Sequence, residues 1–117
     1  MRETVRIPTP YSYSAAVAAG EYVFLGLHRG FGPTVAAQAE SALDGVAETL
    51  AELGTGLDGL VKAQVWLRHI TDLPAVEAAF ADRFAPGAYP ARMTASTEFA
   101  DPDCLLMIEG VAHRGQG

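Results

Sequence analysis

The chain has 117 residues, a formal net charge of −6, one cysteine and eight Lys and Arg residues, scattered singly, of which Arg29, Arg68 and Arg114 each adjoin a histidine. A length of this order predicts one domain with one hydrophobic core. The acidic balance argues against a nucleic-acid partner, which needs a clustered basic face, and no apolar run approaches the ~20 residues of a membrane span. A single Cys104 excludes an internal disulfide and offers no metal-ligand spacing. With no apolar segment at Met1-Arg2-Glu3-Thr4 to suggest secretion, a soluble cytoplasmic protein is expected.

Thr4–Ile7 alternates polar and apolar residues and predicts a short edge strand, closed by Pro8-Thr9-Pro10. Tyr11–Ser14 reads as a turn. Ala15–Val17 and Glu21–Leu27 are small, aromatic or β-branched around Ala19-Gly20, which predicts a hairpin whose second strand, apolar over Tyr22-Val23-Phe24-Leu25, is central. His28–Pro33 is glycine-rich and predicts a connecting loop.

Thr34–Leu53 carries the helical period: Val35, Ala39, Leu43, Val46, Leu50 and Leu53 recur at spacings of three and four. Thr34 is placed to cap the helix and Gly54 to end it, and Gly45 weakens it by roughly 1 kcal/mol against alanine. Val61–Leu67 alternates as a strand with one covered face. Thr71 or Asp72 caps a second helix with Pro74 in its first turn and Val76, Phe80 and Phe84 on its buried side; Ala85-Pro86-Gly87 stops it. Ala91–Thr97 and Cys104–His113 are the last strands, and the tail Arg114–Gly117 is expected to fray.

The order predicts an α+β domain over residues 1–117: a single mixed sheet with two helices on one face. The other face is left bare and must close on a ligand or a second subunit. Two charges stand out, Arg92 within Tyr89–Ala95 and Glu109 within Leu105–Val111. Both segments read as buried strands, where a charge is costly unless it has a partner or a task. An interface salt bridge, with Glu109 itself as one candidate partner, is the structural reading of Arg92. Trp66 and the phenylalanines at helical spacing read as core, His69 and His113 as surface, and Cys104 as an unreactive thiol at a strand start.

Several stretches together carry a resemblance: Tyr13-Ser14 with Ala16-Val17 and Gly20; Ala36-Ala37-Gln38-Ala39 with Leu43 and Leu50–Gly54; Val61–Leu67; and Tyr89-Pro90-Ala91-Arg92 with Ile108–Ala112 behind it. In order, length and interval the chain resembles the Rid family, also called YjgF or endoribonuclease L-PSP-like. That resemblance implies a fold similar to Bacillus chorismate mutase, assembled as a trimer with three sites between subunits. It also implies hydrolysis of 2-imino acids or their enamine tautomers, such as 2-iminopropanoate, to the 2-oxo acid and ammonia.

Carried over by residue, Arg92 would hold the substrate carboxylate, Glu109 would position or activate water, and Tyr13 would line the pocket. Gly26 would offer a backbone contact and Thr94 stands where the family often has cysteine. Leu25 replaces a usual serine, and the short loop from His28 departs in composition; His28 extends the pocket or is merely solvated. A guanidinium matches a carboxylate through two parallel hydrogen bonds, and an imine carbon is already electrophilic, so neither a metal nor an organic cofactor is called for. The competing function is a trimeric module that binds a small 2-oxo carboxylate without turnover. Ribonuclease action, attached to the family by name, fits the acidic charge poorly.

Overall fold

The computed structural model of the chain describes residues 3–115. Alternation of side chains along each strand builds the core: Ala16, Ala18, Val23, Leu25, Ala63, Val65, Leu67, Leu106, Ile108 and Ala112 all point to one side and are buried there. Six strands carry them: β1 (Val5–Pro8), β2 (Ser14–Ala19), β3 (Tyr22–Arg29), β4 (Leu60–Leu67), β5 (Ala91–Ser96) and β6 (Leu106–His113), in the sheet order β1-β2-β3-β6-β4-β5. Only β4 and β5 pair in parallel; the other neighbours are antiparallel. A parallel pair needs a crossover, which helix α2 (Leu73–Arg83) supplies, while helix α1 (Val35–Glu52) connects β3 to β4 across the slot that β6 fills.

Both helices lay their apolar stripes on the same side. Ala39, Leu43, Val46 and Leu50 of α1 and Val76, Ala79 and Phe80 of α2 join the strand residues in one cluster. Thr34 caps α1 by accepting from the Ala37 N–H at 3.1 Å, and Gly54, at φ 81°, ends it. At Gly110 a Cβ would stand 2.2 Å from the Lys62 carbonyl oxygen, so the irregular pairing of β4 with β6 there admits only glycine. No helix among the described residues is long and apolar enough to cross a membrane.

The opposite face has no helical cover, as the element count predicts: Phe24 is 50 % exposed and Met93 62 %. Four expectations need correction. β5 starts at Ala91 and is an edge strand, so Tyr89–Ala95 is not a buried strand. β6 starts at Leu106; Cys104 is buried in the loop before it, its thiol 3.5 Å from the Leu106 carbonyl oxygen. Trp66 alternates out of step with Val65 and Leu67, so it lies half-buried on the bare face rather than in the core. Arg114 does not fray: its backbone N–H donates to the Glu21 carbonyl and its guanidinium to that of Gly20, at 2.7 and 2.9 Å. Gln116 and Gly117 of the expected tail lie outside the described residues.

Gln38 is a polar side chain enclosed in this core. Gln38 donates to the Gly32 and Asp103 carbonyls at 3.0 and 2.8 Å and accepts from the Leu105 N–H at 2.8 Å, stapling α1 to the segments flanking β6 and β3. Gln38→Leu leaves three backbone groups without a partner. It is expected to cost about 3 kcal/mol and to lower the melting temperature by roughly 10 °C, read by thermal unfolding.

Candidate functional site

Arg92 projects from β5 opposite Ala63 of β4, whose side chain is buried beneath the helices; paired residues in a sheet share a face, so Arg92 lies on the helical side. Because β5 is an edge strand, the guanidinium reaches the rim, where its side chain remains 21 % exposed. It stacks over the Phe80 ring at 5.0 Å and bonds Glu77 of α2. A depression of about 300 Å³ opens there, lined by Glu77, Phe80, Ala81, Tyr89, Pro90 and Arg92. Two residues further along the same face, the Thr94 hydroxyl oxygen is buried without a hydrogen-bond partner. A buried hydroxyl can donate to or accept from a group bound beside it.

Glu109 pairs with Gln64, the residue after Ala63, and therefore projects from the bare face. It is exposed in a second depression of about 320 Å³, walled by Leu27, Trp66, Phe99 and Met107. The sheet thus separates Arg92 from Glu109 within one chain. Within one chain the two therefore do not pair, and Glu77 is the carboxylate that holds the Arg92 guanidinium.

Tyr13 precedes β2 and stacks parallel to Tyr11, their ring centroids 6.2 Å apart. With His28 it lines a third depression, between β3 and α1, that shares Leu27 with the Glu109 depression. His28 lies in β3 and not in a loop: an irregularity between Leu25 and His28 turns its ring toward α1. Its Nδ1 is 2.9 Å from the Gly26 carbonyl oxygen and its Nε2 2.9 Å from the Thr49 hydroxyl. The carbonyl only accepts, so Nδ1 carries the proton and Nε2 accepts from Thr49. Burial pushes the His28 pKa below its ordinary value of 6.5, partly offset by the Gly26 hydrogen bond, which keeps the ring neutral near pH 7. Gly26 therefore serves His28 through its carbonyl. Leu25, 6 % exposed, belongs to the core and presents no side-chain surface to a ligand, which corrects its assignment to the pocket.

Two contributors were not legible as site residues. Arg68 donates to the carbonyls of Cys104 and Asp101 at 2.9 and 2.8 Å and stacks on Phe99 at 5.5 Å, so it fastens the loop that walls Glu109. The same loop is held from its other side by Arg29 on Asp101; the Asp103 N–H first, and then Arg29, hold that carboxylate below its usual range. Glu77 is the second. Its only signal is a carboxylate flanking the apolar stripe of α2, where nothing local points to Arg92. Among the described residues no group of three or more His, Cys, Asp or Glu side chains is placed to hold a metal ion.

A mixed six-stranded sheet with two helices on one face, an arginine at its parallel edge and a glutamate on its bare face defines an α+β protein of the YjgF type. The chain belongs to the endoribonuclease L-PSP family, also known as the Rid or YjgF family, whose model matches residues 4–114. Its fold superposes on a YjgF family protein from Neisseria meningitidis with a TM-score of 0.92, at 26 % identity over 98 % of both chains. A RutC family protein from Synechocystis is 28 % identical over 94 % of this chain and 92 % of its own length. The 3-aminoacrylate deaminase RutC of Acinetobacter baylyi is 32 % identical over 67 % of this chain and 61 % of its own.

Proposed function

We propose that the protein hydrolyses 2-imino acids and their enamine tautomers, compounds like 2-iminopropanoate and 2-iminobutanoate, to 2-oxo acids and ammonia. The observation that carries this reading is Arg92, a stacked guanidinium at an open rim beside an unpartnered Thr94 hydroxyl, together with the similarity to a deaminase. Arg92 takes the substrate carboxylate through two parallel hydrogen bonds. Water attacks the imine carbon while Glu109 removes one proton and passes it to nitrogen, giving the carbinolamine; the hydroxyl proton then follows to nitrogen as the C–N bond breaks, the carbonyl forms and ammonia leaves. An enamine first takes a proton on carbon to become the imine. Tyr13 lines the pocket, and the chemistry needs no cofactor.

Because one chain places Arg92 and Glu109 on opposite faces, the reading requires that a second copy complete each site. A homotrimer in which the β5 edge of one sheet lies against the bare face of the next meets that requirement and covers Phe24 and Met93. A cytoplasmic setting accords with the single buried thiol, and the net charge of −6 disfavours nucleic acid as a partner. The same separation of Arg92 from Glu109 favours one alternative, a module that binds small carboxylates without turnover.

An amino-acid oxidase supplied with an amino acid and catalase generates the imino acid in place. The protein is expected to accelerate its decay, with ammonia and the 2-oxo acid released in equal amounts. Decay at the blank rate for several side chains would leave only the binding module.

A further inference from the structure

The contact between Arg92 and Glu77 is lopsided. Arg92 is 21 % exposed, its guanidinium laid over the Phe80 ring at 5.0 Å, so its position is set by packing as well as by charge. The Glu77 side chain is 60 % exposed and reaches Arg92 through a single oxygen on a single guanidinium nitrogen, Nη2. Both line the same depression, which is wide enough for a small ligand. Glu77 thus places on Arg92 the chemical group that a carboxylate ligand would bring, in a weaker one-point geometry, and one change of rotamer would carry it into solvent.

We propose that Glu77 is an internal competitor for the carboxylate site at Arg92: it pairs the guanidinium when the site is empty and must be displaced by the substrate carboxylate. The proposal rests on the reading of Arg92 as a carboxylate receptor. A ligand arriving with two parallel hydrogen bonds wins the exchange, while one with a single weak acceptor does not, so Glu77 also filters ligands by carboxylate geometry. The apparent dissociation constant is the intrinsic one divided by the fraction of time Arg92 is free. If Glu77 holds Arg92 about 70–90 % of the time, its removal tightens binding roughly 3- to 10-fold. A pair of this exposure shifts an equilibrium by up to roughly fivefold, which lies in that range.

Calorimetric titration of the full chain with 2-oxobutanoate tests this, using Glu77→Gln and Glu77→Ala beside the wild type. Both variants are expected to bind roughly 3- to 10-fold more tightly, to show a lower KM for imine hydrolysis with kcat little changed, and to melt within about 2 °C of the parent, since an exposed side chain adds little to stability. Equal affinity in all three proteins overturns the competitor alone. Weaker binding in both variants also overturns it and makes Glu77 the residue that orients Arg92. Absence of binding in all three overturns the competitor and the carboxylate site together.

Discussion

Arg92→Ala is expected to lower kcat/KM for imine hydrolysis by about 10²-fold while the molecular mass in solution stays unchanged. Two charge-assisted hydrogen bonds to the substrate carboxylate are lost, together worth about 3 kcal/mol, and every 1.4 kcal/mol is about a factor of ten. The substrate also loses the anchor that presents its imine carbon, so the effect falls on kcat as well as KM. Arg92→Lys keeps the charge but cannot reproduce the planar fork and is expected to fall between the two. Folding is not at stake, because Arg92 sits at the rim of an edge strand, with the Phe80 ring and Glu77 as its partners. Steady-state kinetics with light scattering on the same samples decides. Undiminished activity removes Arg92 from the reaction, and lost activity accompanied by dissociation makes it an interface residue.

Glu109→Gln is expected to reduce kcat by about 10²- to 10⁴-fold with KM little changed, because an amide retains the shape of the carboxylate but cannot take a proton from water. Glu109 is exposed, so this variant too should fold as the parent does. The placement of the two residues on opposite faces of one sheet adds a sharper test. If each site draws its arginine from one copy and its glutamate from another, then denaturing and co-refolding equal amounts of the Arg92→Ala and Glu109→Gln proteins creates some sites with both native residues. Random assembly would restore about a quarter of wild-type activity, since each of the two choices is right half the time. Recovery of none shows that one chain must supply both residues, and the shared-site reading fails.

Much of the architecture was legible because its signals are local. The helical period of α1, its Thr34 cap and its Gly54 terminus act within one or two turns, and they place the helix to within a residue. The alternation in β4 predicts a strand for the same reason. The bare face follows from counting two helices against six strands, and Arg92 and Glu109 announce themselves as charges in apolar runs. The strand boundaries near β5 and β6 were less legible. Tyr89, Cys104 and Leu105 have strand-like character, yet their backbone is outside the ladder, and pairing is a property of two segments rather than one. His28 belongs to β3 because its backbone pairs with Ile108 of β6, and its ring reaches Thr49 of α1, twenty-one residues away, which its glycine-rich surroundings do not suggest.

By itself the sequence determined the class of fold, the helices, the uncovered face and the identity of the two charges around which a reaction could be built. Each of these is a property of composition or of a short period along the chain. Only the tertiary structure decided which way those charges point. Arg92 stands opposite Ala63 and Glu109 opposite Gln64, and a difference of one residue in register sends two side chains to opposite faces of a sheet. That parity depends on how β4 meets β5 and β6. The partner of Arg92 was equally hidden, for Glu77 reaches it only because α2 folds back over the edge of the sheet.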